Sequence, residues 1–264
     1  MSDAGSAIRR IMVALDTHPW NLAALEELAE LARGLRAELA GLFVEDINLF
    51  RLCDLPGGEV SLASGNLRRP ERGALERELR GRAEFARRTL ERVAVQRRVS
   101  WSFAVTRGQM EEAVLGPVTE IDLVALSRRH RGFLSGAGEA KAGRQAVAAL
   151  YRGGEGARRV LDVATRVAVR ARSPLVLLLP TDDPATETRL REEIDAALRQ
   201  SGLDFGCRVF RPSVQALAGT LAQARILVLE AGVARAIDAV LPGVGVDLLL
   251  VREPGDQPAS SPST

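Results

Sequence analysis

Short apolar runs alternate along the chain with segments in which apolar residues recur at helical spacing. Residues 8–15 and 39–44 are apolar runs, and leucines and alanines recur between them every three or four positions. Gly34 is predicted to end the helix between these runs, as glycine often does. A short apolar run is typical of a buried strand, whereas apolar residues that recur every three or four positions lie on one face of a helix. This segment therefore predicts strand, helix, strand, the unit that forms a parallel pair with a right-handed crossover.

The same alternation continues almost to the end of the chain. Further helices are predicted over residues 70–98, 108–118, 157–172, 187–200, 214–224 and 234–241. Further strands are predicted over residues 99–105, 121–126, 145–151, 175–179, 205–210, 226–229 and 246–251. Strands that alternate with helices favour a mostly parallel sheet covered by helices on both faces.

The second half of the chain repeats the first. A shift of 136 positions carries Leu25, Ala32, Leu39 and Leu42 onto Leu161, Ala168, Leu175 and Leu178. Later the offset falls to 104 positions, as between Val105 and Val209, so the first half carries an excursion after Val44 that the second half lacks. Self-similarity of this kind indicates repeated structural units.

These observations predict two tandem α/β domains, each an open, doubly wound parallel sheet with strand order 3-2-1-4-5. The first domain covers residues 1–144 with an insertion at about 45–70, and the second covers 145–253. Residues 254–264 are expected to form a disordered tail. Only about 18 residues separate the fourth strand of the first half from the next strand, so the first domain is expected to lack its fifth strand.

Composition narrows the class of protein. Hydrophobic residues make up 46% of the chain and charged residues 27%, which is enough apolar material for a folded core. The formal net charge of +2 gives no broad attraction to nucleic acid or to an anionic membrane. The two cysteines, Cys53 and Cys207, form no CxxC pair, and no apolar run has the length of a membrane span or a secretory signal. We therefore expect a cytoplasmic protein.

Residue patterns for catalysis and metal binding are weak. His18 and His130 are the only histidines, and no cysteine or carboxylate cluster accompanies them at metal-ligand spacing. The tripeptide at 204–206 spells DFG, but the companion kinase motifs are missing. No serine lies in a GxSxG elbow. We therefore expect no catalytic residue, no metal site and no enzyme activity.

The predicted strand order also indicates where a ligand would bind. In open parallel sheets, ligands bind beyond the carboxyl ends of the strands, where the strand order reverses. In the first half this rule brings Asp16 and Thr17 beside Ser127, and in the second half it brings Arg152 beside Glu230. An aspartate between a strand and a helix can also cap the helix, so Asp16 has two interpretations.

Several segments together resemble a known family. They are IMVALD at the first strand, AALEELAELARGLRAELAGLFVED after it, IDLVALSRRHRG at the fourth strand, and RVLDVATRVA and SPLVLLLP in the second half. These segments resemble the universal stress protein family as a tandem across nearly the whole chain. The resemblance implies a Rossmann-like, flavodoxin-like fold. In members that bind nucleotides it also implies an aspartate near the adenine and a G-x2-G-x9-G-[S/T] loop around the phosphates.

The chain keeps the aspartate of that pattern and departs from the loop. Asp16 matches the aspartate, whereas Ser127, His130 and Ala140 occupy the glycine positions and Lys141 the hydroxyl position. Side chains at these positions block the close approach of main-chain N–H groups that glycine allows. In the second half Arg152 and Glu230 replace the aspartate and the first glycine, so no triphosphate site is expected there.

The candidate site therefore lies in the first domain alone. Its ligand-binding residues are predicted to be Asp16, Thr17, Val44, Leu126, Ser127, Arg129, Gly132, Gly136 and Gly138. Basic side chains near the glycines, at 128, 129, 131, 141 and 144, offer an alternative way to hold an anion. The other interpretation of this basic segment is a solvated loop without a ligand.

The resemblance implies a non-catalytic binding or regulatory protein of the stress response, with ATP or AMP as the candidate ligand and magnesium present only on the nucleotide. Two alternatives stay open, which are a ligand-free assembly module and an adenine-nucleotide hydrolase. The last strand, VDLLLVRE, is predicted to be an exposed edge through which two copies pair as a homodimer.

Overall fold

Strands and helices alternate in the computed structural model, which describes residues 8–16, 22–54, 59–60, 67–68, 71–115, 121–126, 146–199, 201–211, 213–221, 224–237 and 247–252. The strands are β1 (Arg10–Leu15), β2 (Glu38–Asp46), β3 (Glu59–Val60), β4 (Leu67–Arg68), β5 (Trp101–Gly108), β6 (Leu123–Leu126), β7 (Ala146–Leu150), β8 (Leu175–Pro180), β9 (Phe205–Phe210), β10 (Ala224–Glu230) and β11 (Asp247–Val251). The helices are α1 (Leu22–Leu35), α2 (Ile47–Asp54), α3 (Arg72–Arg97), α4 (Met110–Leu115), α5 (Gly154–Ala171), α6 (Pro184–Leu198), α7 (Val214–Thr220) and α8 (Ala231–Ile237).

Nine of these strands form one sheet, in the order β5-β2-β1-β6-β11-β10-β7-β8-β9. Within each half the neighbouring strands are parallel. The first half has the order 3-2-1-4 and the second half has the order 3-2-1-4-5, because β11 lies parallel beside β10. The predicted doubly wound α/β fold and its strand order are therefore confirmed.

The two halves join through an antiparallel strand pair. Leu248 of β11 pairs with Leu126 of β6, and Val251 pairs with Leu123. Since β10 lies along the other side of β11, both edges of β11 are hydrogen-bonded within the chain. The prediction that this strand is an exposed edge is wrong, because it fills the place beside β6 that a fifth strand of the first half would take. A homodimer stays a prediction, but β11 does not offer its route.

The insertion in the first half carries regular structure of its own. It begins as α2 directly after β2, and further on it contains the short antiparallel pair of β3 and β4. The predicted domain boundary near residue 144 and the tail at 254–264 lie outside the described residues. The division into two domains therefore stays a prediction.

Helices cover both faces of the sheet. One buried cluster packs α1, α3, α5 and α6 against the sheet, and a second cluster packs α4, α7 and α8 against the opposite face. Strand residues alternate between them, since Ile11 and Val13 of β1 belong to the first cluster and Met12 and Ala14 belong to the second. This alternation follows from the two-residue period of a strand.

Two helices of the repeat end in the same unusual way. Arg36 after α1 and Arg172 after α5 adopt left-handed conformations with φ of 56° and 48°, and they lie 136 positions apart. The prediction that Gly34 ends the first helix is wrong. In the structure α1 continues to Leu35, and the guanidinium of Arg170 from the second half lies beside Gly34. A Cβ on Gly34 would lie 2.7 Å from Nη1 of Arg170.

Ion pairs hold α1 against the second half. Arg170 of α5 donates a hydrogen bond to the carboxylate of Glu30, which also accepts a bond of 2.9 Å from Arg97 of α3. Arg225 of β10 donates to Glu27 at 2.9 Å. These contacts reinforce the junction that the strand pairing forms.

A second set of contacts lies at the opposite end of the junction. Arg159 of α5, only 9% exposed, donates to the main-chain carbonyl of Arg252 at 2.7 Å. Its guanidinium also lies 3.7 Å from the carboxylate of Asp122. That carboxylate accepts main-chain N–H bonds from Arg9 and Arg10 at 2.8 and 3.2 Å. One carboxylate therefore links the start of β1 to a helix of the second half.

Gly41 of β2 provides a test of how closely α3 packs on the sheet. A Cβ at this position would lie 2.6 Å from Cδ2 of Leu90 and 2.8 Å from Cδ2 of Phe103. We expect Gly41→Ala to lower the free energy of unfolding by about 1–3 kcal/mol, because the added methyl overpacks the site. Urea unfolding measures this change. Gly206→Ala is the matched control in β9, where no described atom lies within 4 Å of the added Cβ, and equal stability of the two variants would contradict the packing.

Glu30 makes the stability of the junction depend on pH. The hydrogen bond from Arg170, followed by those from Arg33 and Arg97, lowers the pKa of Glu30 from 4.5 to about 2 against the opposing effect of burial. Because the folded pKa is the lower one, this stabilisation is fully present above pH 4.5 and is lost as the pH falls toward 2.

We therefore expect Glu30→Gln to destabilise the protein by about 1 kcal/mol near neutral pH and by less at about pH 3. Chemical denaturation at both pH values measures the difference. Glu192→Gln on the exposed side of α6 is the control, and its effect should stay within about 0.5 kcal/mol. A cost of Glu30→Gln that is independent of pH would refute the proposed role of this carboxylate.

Candidate functional site

The carboxyl ends of β1 and β6 meet where the strand order of the first half reverses. Ala14 of β1 pairs with Leu126 of β6, while Phe43 of β2 pairs with the last residue of β1 on the other side. Asp16 follows β1 directly and therefore lies at this edge between Leu126 and Val44. The strand register thus places these three predicted residues at one edge of the sheet.

The three residues differ in how far a ligand can reach them. Val44 is 1% exposed and belongs to the packed end of β2, whereas Asp16 and Leu126 are half-buried. A half-buried carboxylate is both held by its surroundings and open to a ligand. The helix-capping interpretation of Asp16 stays open, because α1 is described from Leu22 and residues 17–21 lie outside the described part.

Much of the predicted site lies outside the described residues. This group comprises Thr17, Ser127, Arg129, Gly132, Gly136 and Gly138, together with His18 and His130. Their roles stay predictions from the sequence. The described part of the site consists of the strand ends and the start of the insertion.

The insertion is fixed at the same edge through α2. The guanidinium of Arg107 lies 4.0 Å from the ring centroid of Phe50, which is 3% exposed, and it pairs with Glu45 at 2.9 Å. A cation held over a buried ring and matched by a carboxylate is a stable anchor. Sequence reasoning missed this helix, although the apolar residues Ile47 and Phe50 are spaced three positions apart, as on one helix face.

The corresponding edge of the second half is filled by packing. Tyr151, the first residue after β7, is 1% exposed, and its hydroxyl donates to Glu193 of α6 at 3.0 Å. Gly153 has φ of 81°, and a Cβ there would lie 2.9 Å from Cδ2 of Leu190. Helix α6 therefore packs closely on the turn that, in the first half, follows Asp16.

Strand β10, which lies beside β7, is followed so closely by a helix that no phosphate loop fits between them. Strand β10 ends at Glu230 and α8 begins at Ala231, so helix follows strand without an intervening residue. A loop that wraps phosphate groups needs several residues with free main-chain N–H groups. The second half therefore differs from the nucleotide-binding pattern in its backbone as well as in its side chains.

Tyr151 provides a spectroscopic test of this closed edge, because it is the only tyrosine of the chain. Burial, followed by the hydrogen bond to Glu193, raises the pKa of Tyr151 from 10.0 to about 12. The folded pKa is the higher one, so this contribution to stability is present below pH 10 and is lost as the pH rises toward 12.

We expect the near-ultraviolet absorbance of the phenolate to appear with a midpoint at about pH 12 in the folded protein and at about pH 10 in urea. Circular dichroism over the same range verifies that the protein stays folded. Glu193→Gln should lower the midpoint in the folded protein without abolishing the shift, because burial remains. A midpoint near 10 in the folded wild type would show that this edge is open to solvent.

Comparison with known proteins identifies the fold. No protein-family model and no curated protein matches the chain at a significant level. A universal stress protein from Archaeoglobus fulgidus matches in structure with a TM-score of 0.50 at 12% identity, over 93% of this chain and 97% of that chain. The chain therefore has the universal stress protein fold, as the sequence resemblance predicted.

Two further solved structures are similar at lower scores. A protein of unknown function from Pseudomonas aeruginosa matches 96% of this chain and 95% of that chain, with a TM-score of 0.45 and 13% identity. A universal stress family protein from Burkholderia pseudomallei matches 43% of this chain and 98% of that chain, with a TM-score of 0.34 and 16% identity.

Within the described ranges, every helix is too short or too polar to span a bilayer.

Proposed function

We propose that this chain is a cytoplasmic binding or regulatory protein of the universal stress type, acts without catalysis, and binds its ligand in the first half alone. The two halves differ at the carboxyl ends of their strands β1 and β7, and this difference carries the proposal. In the first half the half-buried Asp16 follows β1, whereas the second half has the exposed Arg152 at that position, directly after the buried Tyr151 and before Gly153, which lies close against α6.

An adenine nucleotide with few phosphates is the ligand that fits these residues best. A carboxylate accepts hydrogen bonds, and the exocyclic amine of adenine donates them, so Asp16 suits the base. The residues at the glycine positions of the family loop carry side chains, which leaves the phosphates to the basic side chains between residues 128 and 144. We therefore expect AMP to bind at least as tightly as ATP.

Calorimetry with AMP and ATP on the full chain tests this proposal. One site per chain is expected, and Asp16→Ala should weaken AMP binding about tenfold or more, as loss of a hydrogen bond to a charged group does. Arg152→Ala is the matched control, because Arg152 lies 136 positions after Asp16, at the same place in the second half. Its affinity for AMP should stay within about twofold of the wild type.

Other results of this experiment would favour one of the alternative functions. Two sites per chain, or equal losses in both variants, would reject a site confined to the first half. Absence of binding by both nucleotides would favour a ligand-free assembly module. Release of phosphate or AMP from ATP above a buffer blank, abolished in Asp16→Ala, would favour a hydrolase.

A further inference from the structure

A cavity of about 670 Å³ lies between α1 of the first half and α5 of the second, above the strands β6, β11 and β10. Small-molecule sites have volumes of about 300–1,000 Å³ and form preferentially where two units meet. None of the described residues of the carboxyl-edge site, Asp16, Val44 and Leu126, lines this cavity. It is therefore a separate candidate site.

Most of the described surface of the cavity is aliphatic. Its apolar lining includes Leu28 and Leu31 of α1, Val167 of α5, and Ala125, Ile226 and Leu249 of the sheet. Such a surface favours a ligand with an apolar body, because burial of apolar area from water drives its binding.

Charged side chains of the cavity walls are mostly paired with one another. Arg97 pairs with Glu26 at 2.9 Å, and Arg170 pairs with Glu30. These guanidinium and carboxylate groups neutralise each other. The carboxylate of Asp247 also lines the cavity and has an interaction of its own.

Arg225 differs from the other arginines of the lining. Its Nη1 donates to Glu27 at 2.9 Å, but its Nε and Nη2 are buried without a hydrogen-bond partner among the described residues. These two nitrogens form one edge of the guanidinium, whose parallel N–H groups match the two oxygens of a carboxylate. Because buried donors without an acceptor are destabilising, an acceptor that reaches them recovers free energy.

We propose that this cavity binds a small apolar carboxylic acid, with the carboxylate on the Nε–Nη2 edge of Arg225 and the hydrocarbon body on the aliphatic lining. Both nitrogens are buried in the present conformation. Binding of the acid therefore requires the guanidinium to rotate until its Nε–Nη2 edge faces the cavity. The bound acid contacts α1 from the first half and α5 and β10 from the second. It therefore stabilises the junction between the halves.

Decanoate is a suitable probe, and decanol is its partner with the same chain and no carboxylate. Calorimetry on the full chain should show one decanoate site, with decanol bound at least about tenfold more weakly. Arg225→Gln should weaken decanoate binding by a similar factor, because the amide lacks the charged pair of donors. Arg208→Gln, on the exposed part of β9, is the matched control and should leave the affinity unchanged.

A second variant tests the cavity independently of the arginine. Ala171→Phe, at the half-buried last residue of α5, places a ring in the cavity and should reduce binding of both decanoate and decanol. Urea unfolding verifies that each variant is folded. Asp16→Ala should leave decanoate binding intact, and AMP should not compete with it, so failure of this proposal is distinct from failure of the nucleotide site.

Three results would overturn the proposal. They are absence of saturable decanoate binding by the wild type below its micelle concentration, wild-type affinity in Arg225→Gln, and equal affinities for decanoate and decanol. The last result would show a nonspecific apolar surface.

Discussion

The antiparallel pairing of β11 with β6 is the contact on which the rest of the arrangement depends. Each of these strands would otherwise present a row of unpaired backbone groups at an edge, which is an unstable and aggregation-prone state. Their pairing produces one sheet of nine strands, with β5 and β9 at its outer edges. It also brings α1 beside α5, so the ion pairs of Glu27 and Glu30 and the cavity between these helices exist only because the halves join here.

The two halves share a strand order and differ at the edge where a ligand would bind. In the second half, the space beyond β7 is used for packing by Tyr151, Gly153 and α6, and β10 runs directly into α8. Packing of this kind stabilises the fold at the cost of a binding site. The first half retains a half-buried acid at the same edge, with α2 anchored beside it. This difference between the halves supports the proposal that a ligand binds in the first half alone.

Local periodicity predicted the nine strands of the sheet, the helices other than α2, and their order, because these depend on which faces of each element are apolar. It did not predict α2, β3 and β4 of the insertion. It could not predict the partner of β11, since an apolar strand carries no information about which distant edge it meets. Gly34 shows the same limit: a helix-stop rule predicts that it ends α1, whereas α1 continues past it and the guanidinium of Arg170 from the other half lies beside it. The positions of Asp16, Val44 and Leu126 followed from the strand order. Arg225 could not be identified from sequence, because its significance lies in two buried nitrogens that have no acceptor among the described residues.

The most direct test of this account is whether β11 pairs with β6 of its own chain. Nuclear Overhauser contacts between facing Hα atoms are typical of the non-hydrogen-bonded pairs of antiparallel strands, which alternate with hydrogen-bonded pairs along the ladder. The register places Ala125 opposite Leu249 and Val124 opposite Leu250, so one of these two consecutive pairs should give the contact. The account predicts such contacts between β6 and β11 within one molecule. In a sample that mixes labelled and unlabelled chains, contacts from β11 that appear only between molecules would show that this strand is a dimer edge and would contradict the nine-stranded sheet.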